Sequence, residues 1–432
     1  MLKVVRSIIN SVQFKNTHRQ SSKHFIRQRI LTFPIMVLLL LQKGSRSLQL
    51  VLNEFIHIKL PEITLTNGAF TKARKKFKYT AFIELNQAAI VDVMYSEGDY
   101  ETYKGHRVLA VDGSKILLPN TQDVIDEFGT IKYSNGSQHK HKAEGEHAYS
   151  LASVLYDVLN NVAIDATLAH AKAYEVDLAV AHLKKTQAND LLIFDRNYPS
   201  FRMIATLIQE NRECLIRCSK SSFIAARKML KGEDEDSQII QLKVHHSKLK
   251  EIRQLGLPET LTVRFVRVLL ETGEYEVLVT TLVDEKKYPT IDFKDIYWLR
   301  WGIETFYGTL KNRLGLENFS GLTAEAVKQD FHASVFLTGM ETLLTADAEE
   351  TLAQKKVKNP QQVNKAVSFH TIKHQAIEIL FGEGDVDHLL ERLTQLFMQN
   401  PTVVREGRNP PRKKASSRKA LDFHKRRRKH CY

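Results

Sequence analysis

"DLLIFDRNYPSFRMIATLIQENRECLIRC", residues 190–218, is the stretch on which the fold turns. "LLIF" is a short continuous apolar run that closes on a carboxylate, Asp195, and such a run reads as a strand covered on both faces. "SFRMIATLIQENR" then reads as a helix, and "CLIRC" as a second buried strand. Upstream, "AYEVDLAVAHLKKTQ" reads as another helix, and "AYSLASVLYDVLNNVAIDATLA" as two longer strands that turn at Asn160-Asn161. "RVLAVDGSKILLP" (107–119) reads as two short strands around a turn at Asp112-Gly113.

Several strands, then helix, strand, helix, strand is the order of a ribonuclease H-like α/β domain, an analogy at the level of topology. Residues 1–100 read as helical, and 101–217 as the first part of the α/β domain. Between 218 and 290 the segments "QIIQLKVHH", "LTVRFVRVLL" and "YEVLVTTLV" form a β-rich insertion, the last two joined by the turn "ETGE". Residues 291–345 return to the α/β domain, 346–404 are helical and 405–432 form a tail. In that helical region "HLLERLTQLFMQ" is amphipathic, which suits a subunit interface or a plain core helix.

The composition is that of a globular protein of two or three domains: 432 residues, 43% hydrophobic and 26% charged. The formal charge is +14. Twelve Lys/Arg stand between Arg405 and Tyr432 against Glu406 and Asp422, a segment that would be drawn to a polyanion or serve only to solubilise the chain. "TKARKKFKY" (71–79) is likewise either a DNA-contacting helix or a solvated face. The basic, acid-free start resembles an organelle transit peptide, but the apolar run "FPIMVLLLL" (33–41) leads into a pattern of folded structure. That run is also far short of the ~20 residues that span a bilayer. Three cysteines make neither a disulfide framework nor a zinc spacing. The expectation is a cytoplasmic protein with no membrane span.

"YWLRWGIETFYGTLK" (297–311) reads as one helix. With Tyr297 at zero, Arg300 falls at roughly −60°, Glu304 at roughly −20° and Lys311 at roughly −40°, a narrow polar stripe opposite an apolar one. Gly308 lies beside the stripe, where a missing side chain would let something large approach. Trp298 and Trp301 are ambiguous: Trp301 is within reach of a base to stack on, an arrangement less favoured than simple packing, and Trp298 reads as wedged into the adjoining core. Asp112 and Asp195 each end a run that reads as a central strand, and Glu304 on the stripe would complete a trio. Three carboxylates within about 4 Å repel by several kcal/mol per pair at an effective dielectric near 20. Divalent cations such as Mg²⁺ or Mn²⁺ remove that penalty, and a pair of them suits phosphodiester chemistry. Arg300 and Lys311 would then hold phosphates. Asp157, Asp165, Asp190 and the run "EDED" (233–236) read as hairpin, loop and cap carboxylates, and His139, His141 and His147 as part of a Lys-rich loop.

The spacing Tyr297-x2-Arg300-x3-Glu304-x6-Lys311 resembles the Y-R-E-K signature of the DDE transposases of insertion-sequence family four, the bacterial cut-and-paste group. "VDGS" is similar to that family's first-aspartate region and "DRNY" to its second, and "RWGIETFYGTLKNRLGLENFSG" resembles its third region beyond the signature positions. The resemblance covers most of residues 25–340. It implies that Asp112, Asp195 and Glu304 are catalytic and bind two Mg²⁺ ions, with Mn²⁺ as a substitute. It implies too that Tyr297, Arg300 and Lys311 contact DNA near the cleaved end. The implied partners are terminal inverted repeats and target DNA, with a homodimer on paired ends, in the bacterial cytoplasm at the nucleoid. Asn197 departs from the family, where glycine is frequent; asparagine tolerates a left-handed turn better than most residues. A catalytically inactive DNA-binding relative and a ribonuclease H-like nuclease are the alternatives.

Overall fold

The computed structural model describes residues 1–27, 30–43, 47–59, 64–96, 98–134, 144–270, 273–382 and 384–404. The basic tail, His139, His141 and Cys431 lie outside the described residues. The chain is mixed α/β and divides into two compact units. One comprises Met1–Gly98, Lys115–Ser150 and the chain from Gly308 onward; the other comprises Asp99–Ser114 and Leu151–Tyr307.

The strands of the main sheet are β1 (Val108–Leu117), β2 (Thr130–Ser134), β3 (Glu144–Asp157), β4 (Val162–His170), β5 (Leu191–Phe194), β6 (Glu213–Cys218), β7 (Ser237–Lys243), β8 (Thr260–Leu269) and β9 (Tyr275–Thr280). In the second unit β4 pairs with β3, and the order from β3 runs β1-β5-β6-β9-β8-β7. β1, β5 and β6 are parallel, and β6-β9-β8-β7 are antiparallel. β9, β8 and β7 therefore extend the central sheet. The apolar run of β5 is wholly buried, as are Val108, Leu109 and Ala110 of β1.

β1 is one strand and not two. Asp112-Gly113 carries a turn signal, yet Gly113 keeps an ordinary φ and the strand passes straight through it. The β3–β4 hairpin does turn at Asn160–Asn161, with Asn161 at φ 55, a conformation asparagine tolerates. The helix Phe201–Gln209 links β5 to β6 and starts at Ser200, whose hydroxyl accepts the Met203 N–H at 3.2 Å.

The first unit is largely helical. The 30-residue helix Ala324–Ala353 packs against Phe33–Leu41, Thr80–Asn86 and Val386–Gln399. "HLLERLTQLFMQ" thus buries Leu389, Leu393 and Phe397 within its own unit and is a core helix. Arg74, from the basic stretch 71–79, is also buried and donates to Asp330 at 2.6 Å, while Lys72, Lys75 and Lys76 are exposed. β2 pairs with the start of β3, Thr130 opposite Ala148. Among the described residues no helix is long and apolar enough to cross a membrane.

Candidate functional site

Ala110 of β1 lies opposite Ile193 of β5 in parallel register. Two residues further along, at the carboxyl ends of the paired segments, Asp112 comes beside Asp195. Both are anchored by buried backbone behind them. The Gly113 N–H donates to Asp112 Oδ1 at 2.8 Å, and the Asn197 N–H donates to Asp195 Oδ1 at 2.8 Å. Asn197 keeps an ordinary φ, so its replacement of glycine costs no backbone strain. Burial pushes the Asp112 carboxyl up to about 7. The Gly113 N–H works against that rise, Asp195 and Glu175 add to it, and Arg300 lowers it.

The 297–311 stretch is not one continuous helix. A helix Asp292–Trp298 ends at Leu299-Arg300, and a second runs from Trp301 to Gly308. At the junction the Arg300 N–H donates to Tyr297 O, Gly302 to Leu299 O and Ile303 to Arg300 O, the tighter three-residue spacing. A π-turn, Thr309–Arg313, follows. The angles expected from a uniform wheel therefore do not hold across the stretch, although one helical turn survives where it matters: Arg300 Nη2 donates to Glu304 Oε1 at 2.8 Å.

Tyr297 and Arg300 are each only 6% exposed. The guanidinium lies 5.7 Å from the centre of the Tyr297 ring and 5.2 Å from that of Trp301. Burial works to lower the Arg300 pKa, but Tyr297, Glu304 and Asp112 outweigh it and hold the charge firmly. The Tyr297 hydroxyl and Arg300 Nε are buried with no hydrogen-bond partner. Trp298 is 56% exposed and so is not a core wedge. Lys311 belongs to the first unit, where its ammonium donates to Lys115 O at 2.7 Å.

Several contacts at the site carry no local sequence signal. The Tyr307 hydroxyl donates to the Asp112 carbonyl at 2.9 Å and to the Ala152 carbonyl at 3.1 Å, pinning the Glu304 helix to β1 at the aspartate. A Cβ on Gly302 would stand 3.4 Å from Val158, about an ordinary contact, so packing alone does not require glycine there. A Cβ on Gly308 would meet nothing within 4 Å. Glu175 begins the helix Glu175–His182 and lies against Gly113.

The other carboxylates have structural partners. Asp190 accepts two bonds from Arg107, at 2.8 and 2.6 Å, and Asp165 meets His182 Nδ1 at 2.7 Å. Asp157 accepts the Leu159 and Asn160 N–H groups in the β3–β4 hairpin, and Asp236 pairs with Arg267.

Asp112 and Asp195 offer only hard carboxylate oxygens in a partly buried place with an excess of negative charge, which fits Mg²⁺ or Mn²⁺. Among the described residues, no three His, Cys, Asp or Glu side chains are already gathered as a metal-holding group. Glu304 is turned to Arg300.

The family described as "Transposase DDE domain" matches residues 103–338, more than half of the chain. Among solved structures, the chain is similar to the cryo-EM structure of the piggyBac transposase synaptic complex with hairpin DNA. That similarity has a TM-score of 0.43 and 8% identity, and covers 96% of this chain and 86% of that one. No curated protein matches. The match over residues 103–338 takes in all nine strands of the main sheet and the helices that carry Tyr297, Arg300 and Glu304, and by it the chain belongs to the transposase DDE-domain family.

Proposed function

We propose that this chain is a cut-and-paste DNA transposase of insertion-sequence family four, with Asp112, Asp195 and Glu304 as its catalytic trio. The observation that carries the reading is the juxtaposition of Asp112 and Asp195 at the ends of adjacent parallel strands, with Glu304 held one turn from a buried arginine. The strand order β4-β3-β1-β5, with a helix between β4 and β5, supports a ribonuclease H-like catalytic domain. The helical segment before residue 100 is assigned to DNA binding, and 218–290 to the insertion.

The three carboxylates would hold two Mg²⁺ or Mn²⁺ ions, which when bound supply Lewis acidity for phosphodiester chemistry. Arg300 presents a fork to the scissile phosphate, held in place by the Tyr297 and Trp301 rings and by Glu304. Tyr297, whose ring backs the guanidinium, and Lys311, a point charge in the first unit, are assigned to DNA contact as well. In cleavage, water attacks phosphorus, the P–O bond to the 3′ oxygen breaks and that oxygen leaves as a hydroxyl. In joining, the freed 3′-hydroxyl attacks a target phosphodiester and releases the target's own 3′ oxygen, so the number of phosphodiester bonds is unchanged.

The test is a cleavage and joining assay with purified protein, Mg²⁺ and duplex DNA carrying the ends that flank its own gene, beside Asp112→Asn, Asp195→Asn and Glu304→Gln. Nicks and joined products lost in each variant, with end binding retained, are expected. Retained cleavage in one variant removes that residue from the trio. Specific end binding without cleavage by the unaltered protein would make the chain a DNA-binding relative, and cutting without joining or need of terminal repeats would make it a nuclease.

A further inference from the structure

Resting on the reading of Asp112 and Asp195 as metal ligands, we propose that Glu175 is a further carboxylate of the same metal site, admitted there by Gly113. Glu175 is the first residue of the helix that follows β4. A Cβ built on Gly113 would stand 3.0 Å from Glu175 Oε1, 3.1 Å from its Cδ and 3.2 Å from its Cγ. Gly113 has an ordinary φ, so the backbone does not require glycine there. The space favours it: a side chain next to Asp112 would press on this carboxylate and make it shift by a few tenths of an ångström from its place over the strand.

A second observation points to a ligand. Tyr198, from the segment that follows Asp195, is 1% exposed, and its hydroxyl has no hydrogen-bond partner. The charged groups that act on that hydroxyl are Glu175 first, then Asp112 and Asp195. A buried hydroxyl left unpaired while three carboxylates act on it has a missing polar neighbour. A hydrated divalent cation supplies one, offering charge to the carboxylates and a water to the phenol oxygen. Asp112 and Glu175 also act on the Tyr307 hydroxyl, but that group is already committed to backbone carbonyls of Asp112 and Ala152.

The competing account is local: an acidic residue in the first turn of a helix favours the helix dipole whatever else is near. That account makes Glu175 a stability residue with no part in metal binding. Titration of the full-length protein with Mn²⁺, followed by the electron paramagnetic resonance of the free ion, separates the two. Glu175→Gln is expected to weaken Mn²⁺ binding by about tenfold or more, in a protein whose circular dichroism is unchanged. Glu175→Asp, which keeps the charge but withdraws it by one methylene, is expected to weaken binding as well, and serves if the glutamine variant does not fold. Asp195→Asn is the reference. Loss in Asp195→Asn with unaltered affinity in Glu175→Gln or in a folded Glu175→Asp overturns the assignment of Glu175 alone. Unaltered affinity in Asp195→Asn overturns the metal reading itself, and this inference with it.

Discussion

The Arg300 guanidinium and the Glu304 carboxylate are joined at 2.8 Å across the first turn of the helix Trp301–Gly308, with the arginine buried and the glutamate half-exposed. A phosphate arriving at this place competes with Glu304 for the fork. Arg300→Ala is expected to weaken binding to the end DNA uniformly across sequences and to flatten the log–log salt dependence by roughly 1. Arg300→Lys is expected to restore part of the affinity but little of the nicking, because an ammonium cannot match the planar two-point geometry. Gel-shift titrations at a series of salt concentrations, with nicking measured in parallel, check both.

The Asp112 carboxyl, raised to about 7 against an ordinary 3.8, has a definite signature in stability. Between about pH 4 and pH 7 the folded protein retains a proton that the unfolded chain has lost, so stability falls as pH rises through that window. The effect is on the order of a few kcal/mol at most. Relative to the unaltered protein, Asp112→Asn should lack that decline, and added Mg²⁺ should reduce it in the unaltered protein. Thermal unfolding of the two proteins from pH 4 to pH 8, with and without Mg²⁺, gives the comparison.

In the helical unit, Asp330 is buried between two cations: Arg74 Nη2 at 2.6 Å and Lys43 Nζ at 3.8 Å. It also accepts the Ser320 N–H at 2.7 Å. Asp330→Ala leaves two buried positive charges without their counter-charge and is expected to cost about 3–5 kcal/mol. Urea unfolding followed by far-ultraviolet circular dichroism measures the loss, and an unchanged midpoint would refute the role given to the cluster.

A Cβ on Gly339, midway along the 30-residue helix, would stand 2.5 Å from Ile90 Cγ2. Gly339→Ala should therefore destabilise the protein by about 1–3 kcal/mol despite alanine's better helix propensity. Ile90→Ala alone empties part of the core and destabilises too, but the two changes together should cost less than the sum of each alone, which a double-mutant cycle would reveal.

The order of strands and helices from β3 to β6 was legible because each segment carried an unambiguous period: "LLIF" a short apolar run, "SFRMIATLIQENR" a helical repeat, Asn160-Asn161 a turn. Asp112-Gly113 was not, since one dipeptide signals both a turn and a close approach of another group. Pairing with β5 on one side and the presence of Glu175 over the glycine decide for the second, and neither is local information. The break at Leu299-Arg300 was equally hidden, as no proline or glycine stands at either position. Of the candidate site, the adjacency of Asp112 and Asp195 was legible because each follows an apolar run. Glu175, Tyr307 and the burial of Tyr297 and Arg300 depend on residues distant in sequence.

The pairing of β9 with β6 has a consequence for any attempt to shorten this protein. β9 buries Val277, Leu278 and Val279, and its other edge is covered by β8, which is in turn covered by β7. β7 alternates half-buried with exposed positions and ends in Lys243, the kind of strand that tolerates standing at a margin. Excising the β7–β8 segment as a dispensable excursion would expose a row of unpaired peptide groups flanked by valine and leucine, next door to the strands that carry the aspartates. Such a truncated protein is expected to stick to its own copies, and insolubility on expression would then say nothing about whether the excised segment touches DNA.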